Sequence, residues 1–133
     1  MTPIKWIVRA DIADSALERF IADIPLIDRV GFTHKPTAED EIRILGYKDA
    51  HLICYAFLYK NNPSFGYIVE TAHRGYSIAH QAMSQIIKLA KELGRTELLS
   101  EVFSHNIASV KLLLDSGFQF YGPIYQIKLN LGV

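Results

Sequence analysis

The segment from Ile78 to Gly94 constrains the fold more than any other part of the chain. Its apolar residues return at three- and four-residue steps over about four turns, which predicts an amphipathic helix, and Gly94 stands where a glycine commonly ends one. Just before it, SFGYIVE has the composition of a strand that ends near Glu70. A strand that passes through a short junction into such a helix indicates the α/β class.

The remainder of the chain predicts further strands and helices in close succession. Segment 26–37 has no firm period and is expected to be a loop with a short helical turn. No Pro, Gly or Ser cluster is long enough to be a linker, so residues 1–133 are expected to form a single domain. The other predicted elements are strands at Ile4–Arg9, Ile42–Tyr47, His51–Tyr59 and Thr96–Phe103, helices after Asp11 or Asp14 and at Ile107–Ser116, and two closing strands around Gly122 and Pro123.

Composition argues against several classes of function. Fourteen Lys and Arg residues balance 14 Asp and Glu residues, so the formal charge of zero supplies no field for binding nucleic acid or an anionic membrane. The apolar run LICYAFLY is far shorter than the roughly 20 residues that span a bilayer, and the N-terminus lacks a signal-peptide pattern. A cytoplasmic protein that uses neither nucleic acid nor membrane is therefore expected.

The single cysteine and the five histidines predict no metal site. Cys54 lies inside the run LICYAFLY, where a buried, inert thiol is the expected state. The histidines stand at positions 34, 51, 73, 80 and 105 and show no i, i+4 pairing with carboxylates. His73 is expected to face solvent or a phosphate.

The junction before the long helix, VETAHRGYSIAH at 69–80, is a candidate anion site. The first N–H groups of a helix have no partner within it and lie at the positive end of its dipole. Arg74 adds a charged fork beside them. The alternative is a surface turn with an incidental arginine. A P-loop and a three-glycine dinucleotide fingerprint are both excluded, because neither motif is present.

Three motifs in register carry a family resemblance. HRGYSIA, a helix ending in KELG, and SEVFSHNIASVKLLLDSGF follow one another at the spacing seen in GNAT acyl-CoA N-acyltransferases, and the chain resembles that superfamily over roughly residues 64–122. The family loop Gln/Arg-x-x-Gly-x-Gly/Ala is matched by Arg74, Ser77 and Ala79, with serine in place of a glycine. The later matches are Glu101, Val102, Asn106, Ser109, Gly117 and Phe118.

The resemblance implies a mixed, mostly antiparallel sheet of six to seven strands, splayed at its centre and flanked by three to four helices. It also implies acetyl-CoA as acyl donor, with no metal. The pantetheine arm would lie in the splay, bound by backbone groups of one strand, and the pyrophosphate would lie against the loop. The residues implied in cofactor binding are Ile68, Val69, Arg74, Gly75, Tyr76, Ser77, Ile78, Ala79, Asn106 and Ser109.

The implied chemistry is direct attack of an amine on the acetyl thioester. An amine of pKa about 10.4 loses its proton at pH 7 at a cost of roughly 4 to 5 kcal/mol, so a base is useful. Glu101 is the predicted base, and a solvent-facing glutamate is the alternative. The tyrosine that commonly protonates the CoA thiolate is replaced by Leu113. This leaves the acid open among Ser109, Tyr121, Tyr125 and a water.

Leu113, Asn106 and Ser109 together resemble the branch of ribosomal-protein N-terminal and polyamine acetyltransferases. The predicted function is N-acetylation of a primary amine on a small molecule or a peptide N-terminus, and a homodimer is compatible with the family. Two alternatives stay open: a degenerate CoA-binding domain with a regulatory or interaction role, and an α/β domain whose motif match is chance. The acceptor is expected near Leu26–Thr37 and Tyr121–Gln126. Asp23, Asp28 and Glu39 are candidates to receive a cationic acceptor, and solvated surface charge is the favoured alternative for each.

Overall fold

The structure is a computed structural model that describes residues 3–29, 32–101, 107–121 and 126–132, with the side chains of Tyr76 and Glu101 outside the description. Strands and longer helices follow one another in the order that the sequence pattern predicts. The elements are β1 (Lys5–Val8), α1 (Asp14–Ala22), α2 (Leu26–Arg29), β2 (Glu41–Lys48), β3 (His51–Tyr59), β4 (Phe65–Val69), a 3-10 turn (Thr71–His73), α3 (Tyr76–Glu92), β5 (Glu97–Glu101), α4 (Ile107–Asp115), β6 (Gln119–Tyr121) and β7 (Gln126–Asn130).

The described strands form two antiparallel sheets, in the orders β1-β2-β3-β4 and β5-β7-β6. The single splayed sheet of six to seven strands that the resemblance implies is therefore corrected to separate sheets of four and three strands. β4 and β5 run parallel and are joined by an isolated bridge between Ser64, the residue before β4, and Leu99, in the middle of β5, in which the Leu99 N–H donates to the Pro63 carbonyl at 3.0 Å. Beyond that bridge the two strands do not pair, which leaves a gap between their carboxyl ends.

Helix α3 packs on one face of the first sheet and confirms the predicted amphipathic helix. Its buried residues Met83, Ile86, Leu89 and Ala90 join side chains from β2, β3 and the second sheet in one core cluster. Burying a side chain of this size contributes about 1.5 to 3 kcal/mol, so α3 fixes both sheets against one core. Gly94 has a φ of 73°, in the left-handed region expected for a glycine that ends a helix.

Helix α1 covers the opposite face of the first sheet. Leu17 and Ile24 pack there against Leu45, Tyr55 and Phe57. The segment predicted as a loop with a helical turn contains the four-residue helix α2. The hairpin of β2 and β3 is confirmed, with each strand close to its predicted bounds.

Cys54 is fully buried, and burial raises the pKa of its thiol well above the usual value, as expected for an inert cysteine. Among the described residues no helix combines the length and the apolar character that crossing a membrane requires. The predicted turn at Gly122 and Pro123 and the predicted strand end at 102–103 lie outside the described residues.

Candidate active site

The gap between β4 and β5 exposes one backbone edge of β4. In β4 the residues that bond β3 alternate with residues that do not. Tyr59 donates to the Ser64 carbonyl at 3.0 Å and the Glu70 N–H donates to Ile53 at 2.8 Å, and the register between them has no shift. By that alternation, Tyr67 and Val69 direct their N–H and C=O groups away from β3, toward the gap.

Ile68 was predicted with Val69 as a backbone contact to the cofactor. The alternation pairs its N–H and C=O groups with Tyr55 of β3 instead. Val69 and Tyr67 therefore supply the backbone groups at the gap, in the way that an edge strand offers unpaired donors and acceptors.

The start of α3 lies directly beyond the end of β4. The first bond within the helix runs from the Ala79 N–H to the Gly75 carbonyl, at 3.4 Å. The N–H groups of Tyr76, Ser77 and Ile78 therefore have no acceptor inside the helix, and no side chain caps this end. A Cβ built on Gly75 meets nothing within 4 Å, so open space lies in front of these donors.

Ser77 fits this helix start without strain. It is not among the described residues that adopt positive φ, so the position does not require the glycine of the family pattern. The Ser77 hydroxyl accepts a hydrogen bond from Gln81 Nε2 at 3.3 Å, and Gln81 Oε1 accepts one from Trp6 Nε1 at 3.1 Å. The serine side chain is thus directed along the helix toward the next turn.

Arg74 and Thr71 connect the junction to α2. Nη2 of Arg74 donates to the backbone carbonyl of Asp28, and the Thr71 hydroxyl donates to Asp28 Oδ2 at 3.0 Å. A guanidinium has five N–H donors, so this contact leaves the exposed Arg74 able to bind an anion as well. The carboxylate of Asp28, a candidate contact for a cationic acceptor, is engaged by Thr71.

Glu70 holds two histidines at the same junction. Its Oε2 lies 2.5 Å from His51 Nε2, and its Oε1 lies 2.8 Å from His73 Nδ1. His73, expected to face solvent or phosphate, therefore has Nδ1 bound to this carboxylate. Across the described ranges, no group of three His, Cys, Asp or Glu side chains is arranged to hold a metal ion.

A tyrosine from β4 crosses to α4. The hydroxyl of Tyr67 lies 3.4 Å from the Ser109 hydroxyl, and burial raises the pKa of Tyr67 above its usual value. Leu113, one helical turn after Ser109, is 1% exposed. Sequence reasoning missed Tyr67, because an aromatic residue in an apolar strand is typical of any core.

Two further predicted site residues have incomplete descriptions. Glu101 is the last residue of β5, where its backbone pairs with Gln126, and its side chain lies outside the description. Asn106 lies in the segment 102–106, outside the described residues. Their predicted roles therefore stay predictions.

A buried polar network on the α1 face also escaped the sequence analysis. The carboxylate of Glu41 is 3% exposed. Its Oε1 accepts from His34 Nε2 and the Thr37 N–H, both at 2.8 Å, while Oε2 accepts from Arg43 Nε at 3.1 Å and from the Tyr55 hydroxyl. Although burial alone would raise the pKa of Glu41, these hydrogen bonds lower it to about 2.

This network attaches the segment before β2 to the sheet. The imidazole of His34 stacks on Phe57 with ring centroids 3.8 Å apart, and its Nδ1 lies 2.7 Å from the Tyr59 hydroxyl. Arg43 also donates to the Ile12 carbonyl at 2.7 Å and to Asp14. The buried charges are therefore paired, and their arrangement is that of a structural hub.

The gap between the two sheets, the uncapped helix start and the order of the motifs are those that the family resemblance implies. A model of the acetyltransferase (GNAT) domain matches residues 5–119, most of the chain. The chain therefore belongs to the GNAT acetyltransferase family, which confirms the resemblance at the level of the family. No curated protein sequence matches the chain significantly.

Solved structures share the fold at low sequence identity. The GNAT domain of S. lividans PAT has a TM-score of 0.77 at 14% identity, with 96% of this chain and 90% of that one covered. YncA of Salmonella typhimurium, solved with its cofactor acetyl-CoA, has a TM-score of 0.72 at 14% identity over 99% and 96%. Ribosomal-protein-alanine N-acetyltransferase of Brucella melitensis has a TM-score of 0.69 at 16% identity over 96% and 99%.

Proposed function

We propose that this protein is an N-acetyltransferase that moves the acetyl group of acetyl-CoA to a primary amine. The observation that carries the proposal is the gap between β4 and β5, which opens beside three N–H groups that have no acceptor within α3 and no side-chain cap. The pantetheine arm and the pyrophosphate of acetyl-CoA match that arrangement. Backbone groups of β4 would face the arm, and the positive end of α3 would face the pyrophosphate. Family membership and the acetyl-CoA in the Salmonella structure support it.

In this proposal the residues of the gap and junction bind the cofactor. Val69 offers backbone groups to the pantetheine arm, and the N–H groups of 75–78, with Arg74, bind the pyrophosphate. Ala79, also predicted to contact the cofactor, has its N–H bonded to the Gly75 carbonyl instead. Ile68 would contact the arm without its own backbone donor. Ser109, on α4, and Asn106 are carried over from the family pattern as further cofactor contacts.

Glu101 is proposed as the base that prepares the amine. The position of its backbone at the end of β5, beside the gap, supports this role. The amine nitrogen attacks the thioester carbon, and the C–N bond replaces the C–S bond. A carboxylate or a water chain ending on it takes the proton that the amine must lose.

The acceptor class is proposed as a small-molecule amine or a peptide N-terminus, within the ribosomal-protein N-terminal and polyamine branch. Leu26 and Ile27 of α2 support an acceptor with an apolar part, because they are 78% and 85% exposed on a helix tied to the junction. The branch is supported further by the name of the Brucella relative.

The test is release of CoA thiol from acetyl-CoA with a panel of amino acids, polyamines, aminosugars and peptides. Turnover with one class, and its loss in Glu101→Gln but not in the control Glu97→Gln on the same strand, would support the proposal. Thermal stabilisation by acetyl-CoA and CoA, but not by ATP or NAD, is expected in parallel.

A CoA-binding domain without catalysis is the second candidate. The buried Leu113 favours it, since the usual acid is missing from α4. Stabilisation by acetyl-CoA without turnover of any amine would select this candidate, and absence of stabilisation would overturn both.

A further inference from the structure

We propose that the hydroxyl of Tyr67 protonates the departing thiolate of CoA. The inference rests on the proposed acetyl transfer and assigns the acid that this reaction needs. The position that commonly supplies it is occupied by Leu113, a buried aliphatic side chain with no proton to give. Another proton donor is therefore needed for this role, and the described residues place Tyr67 beside the same helix face.

The geometry brings the phenol to α4, the helix that would carry the missing tyrosine. Ser109 and Leu113 are four residues apart on α4, so they lie on one face of the helix. The Tyr67 hydroxyl lies 3.4 Å from Ser109 Oγ. A tyrosine from β4 thus approaches this face from the opposite side of the gap between the sheets.

The backbone of Tyr67 leads to the same place. By the alternation along β4, its N–H and C=O groups face the gap, as those of Val69 do. A pantetheine arm lying along this edge passes both residues. The phenol is then attached to the strand that borders the arm and aimed at the helix on its far side.

The protonation state of the phenol suits an acid. Burial raises the pKa of Tyr67, so the side chain is neutral and carries its proton at physiological pH. A phenol both donates and accepts hydrogen bonds, so it can contact Ser109 through one lone pair while its proton points elsewhere.

The step balances as follows. Collapse of the tetrahedral adduct breaks the C–S bond and leaves the electron pair on sulfur. The Tyr67 O–H proton moves to that sulfur and gives the CoA thiol. The phenolate regains a proton from solvent, and the amine releases one proton to Glu101 or solvent, so no further reactant is needed.

The decisive variant is Tyr67→Phe, which keeps the ring and removes only the hydroxyl. If Tyr67 is the acid, kcat falls about 100-fold, the typical contribution of general acid catalysis, while the KM for acetyl-CoA is unchanged. Tyr47→Phe, on the α1 face of the sheet, is the matched control and retains kcat. Ser109→Ala is expected to reduce kcat by less than Tyr67→Phe.

A second measurement needs no acceptor and separates catalysis from packing. The thiol of enzyme-bound CoA is titrated by the ultraviolet absorbance of its thiolate. A hydrogen bond from Tyr67 stabilises the thiolate, so the bound thiol should ionise at a higher pH in Tyr67→Phe than in the wild type. A hydroxyl that only packs against Ser109 would leave this titration unmoved.

The outcomes distinguish the two proposals. A wild-type protein that does not bind CoA overturns the proposed function and this role with it. If CoA binds and Tyr67→Phe retains both the wild-type kcat and the wild-type thiol titration, only the role of Tyr67 is overturned.

Discussion

Two polar regions of this protein adjoin the same four-stranded sheet and differ in how far their hydrogen-bonding groups are satisfied within the chain. Around Glu41, the buried polar side chains are hydrogen-bonded to one another and to the backbone, and among the described residues no buried side-chain nitrogen or oxygen lacks a partner. At the start of α3, three N–H groups have no acceptor in the helix and no side-chain cap. The closed region stabilises the fold, and the open one has binding capacity left for a ligand.

The contrast predicts where a substitution costs stability and where it costs binding. Breaking a buried ion pair leaves an uncompensated charge, which commonly costs about 3 to 5 kcal/mol. Removing an exposed donor from an open site leaves the free energy of unfolding almost unchanged and lowers the affinity for the ligand instead. Variants in the two regions test whether loss of stability and loss of affinity separate in this way.

The largest effect is expected from Glu41→Ala. The guanidinium of Arg43 loses a buried partner, and the donors of His34 and Tyr55 lose their acceptor, so the free energy of unfolding should fall by about 3 to 5 kcal/mol. Urea denaturation measures it. Glu39→Ala, at an exposed position two residues away, should change stability by under about 0.5 kcal/mol. Equal effects of the two variants on stability would contradict the stabilising role of the Glu41 network.

The stability of the fold should depend on pH through the carboxylate of Glu41. The pKa of Glu41 is about 2 in the folded chain and near 4.5 when unfolded, so its contribution is complete above 4.5 and is lost as the pH falls toward 2. That contribution is about 3 kcal/mol. Unfolding measured across this range should lose stability in the wild type and lose about that much less in Glu41→Gln, in which the titrating group is absent.

Arg74→Ala should lower the affinity for acetyl-CoA and leave the stability of the fold almost unchanged. A charged hydrogen bond contributes about 1.5 to 3 kcal/mol, so calorimetry should show affinity lower by roughly 10- to 100-fold. Stability should stay within about 0.5 kcal/mol, because the side chain is exposed. Arg19→Ala, an exposed arginine of α1, is the control and should bind as the wild type does. A loss of stability without a loss of affinity would reverse the assignment of the junction.

Gly75→Ala should give the smallest change in stability and should test directly whether the ligand occupies the open site. Gly75 has an extended backbone with φ 161°, and its added methyl group would meet nothing, so stability should change by under about 0.5 kcal/mol. The methyl group would occupy the space proposed for the pyrophosphate, so affinity for acetyl-CoA should fall. Unchanged affinity would place the ligand elsewhere.

Sequence predicted the elements whose signal is local. The period from Ile78 onward and the glycine at 94 gave α3 and its end, and turn residues at Asn62 and Pro63 separated β3 from β4, where Asn62 Oδ1 accepts from the Ser64 N–H at 2.8 Å. The motif order also led to the family. These signals require only neighbours in the chain.

The rest depends on contacts between distant segments. Glu41 and Arg43 alternate with isoleucines and look like the solvent face of a strand, yet His34 and its neighbours cover them. The partnership of Tyr67 with Ser109 joins residues 42 positions apart. Termination of pairing after the bridge between Ser64 and Leu99 also depends on packing of the two sheets, which no local pattern encodes.

The hydrogen bonds from Trp6 through Gln81 to Ser77 give the protein an optical reporter. Trp6 is the single tryptophan of the chain, so its fluorescence reports one environment. Its indole N–H is two hydrogen bonds from the first turn of α3. A ligand that redirects the Ser77 hydroxyl should therefore shift the emission of an unlabelled protein, and Gln81→Leu should abolish that shift while acetyl-CoA still binds.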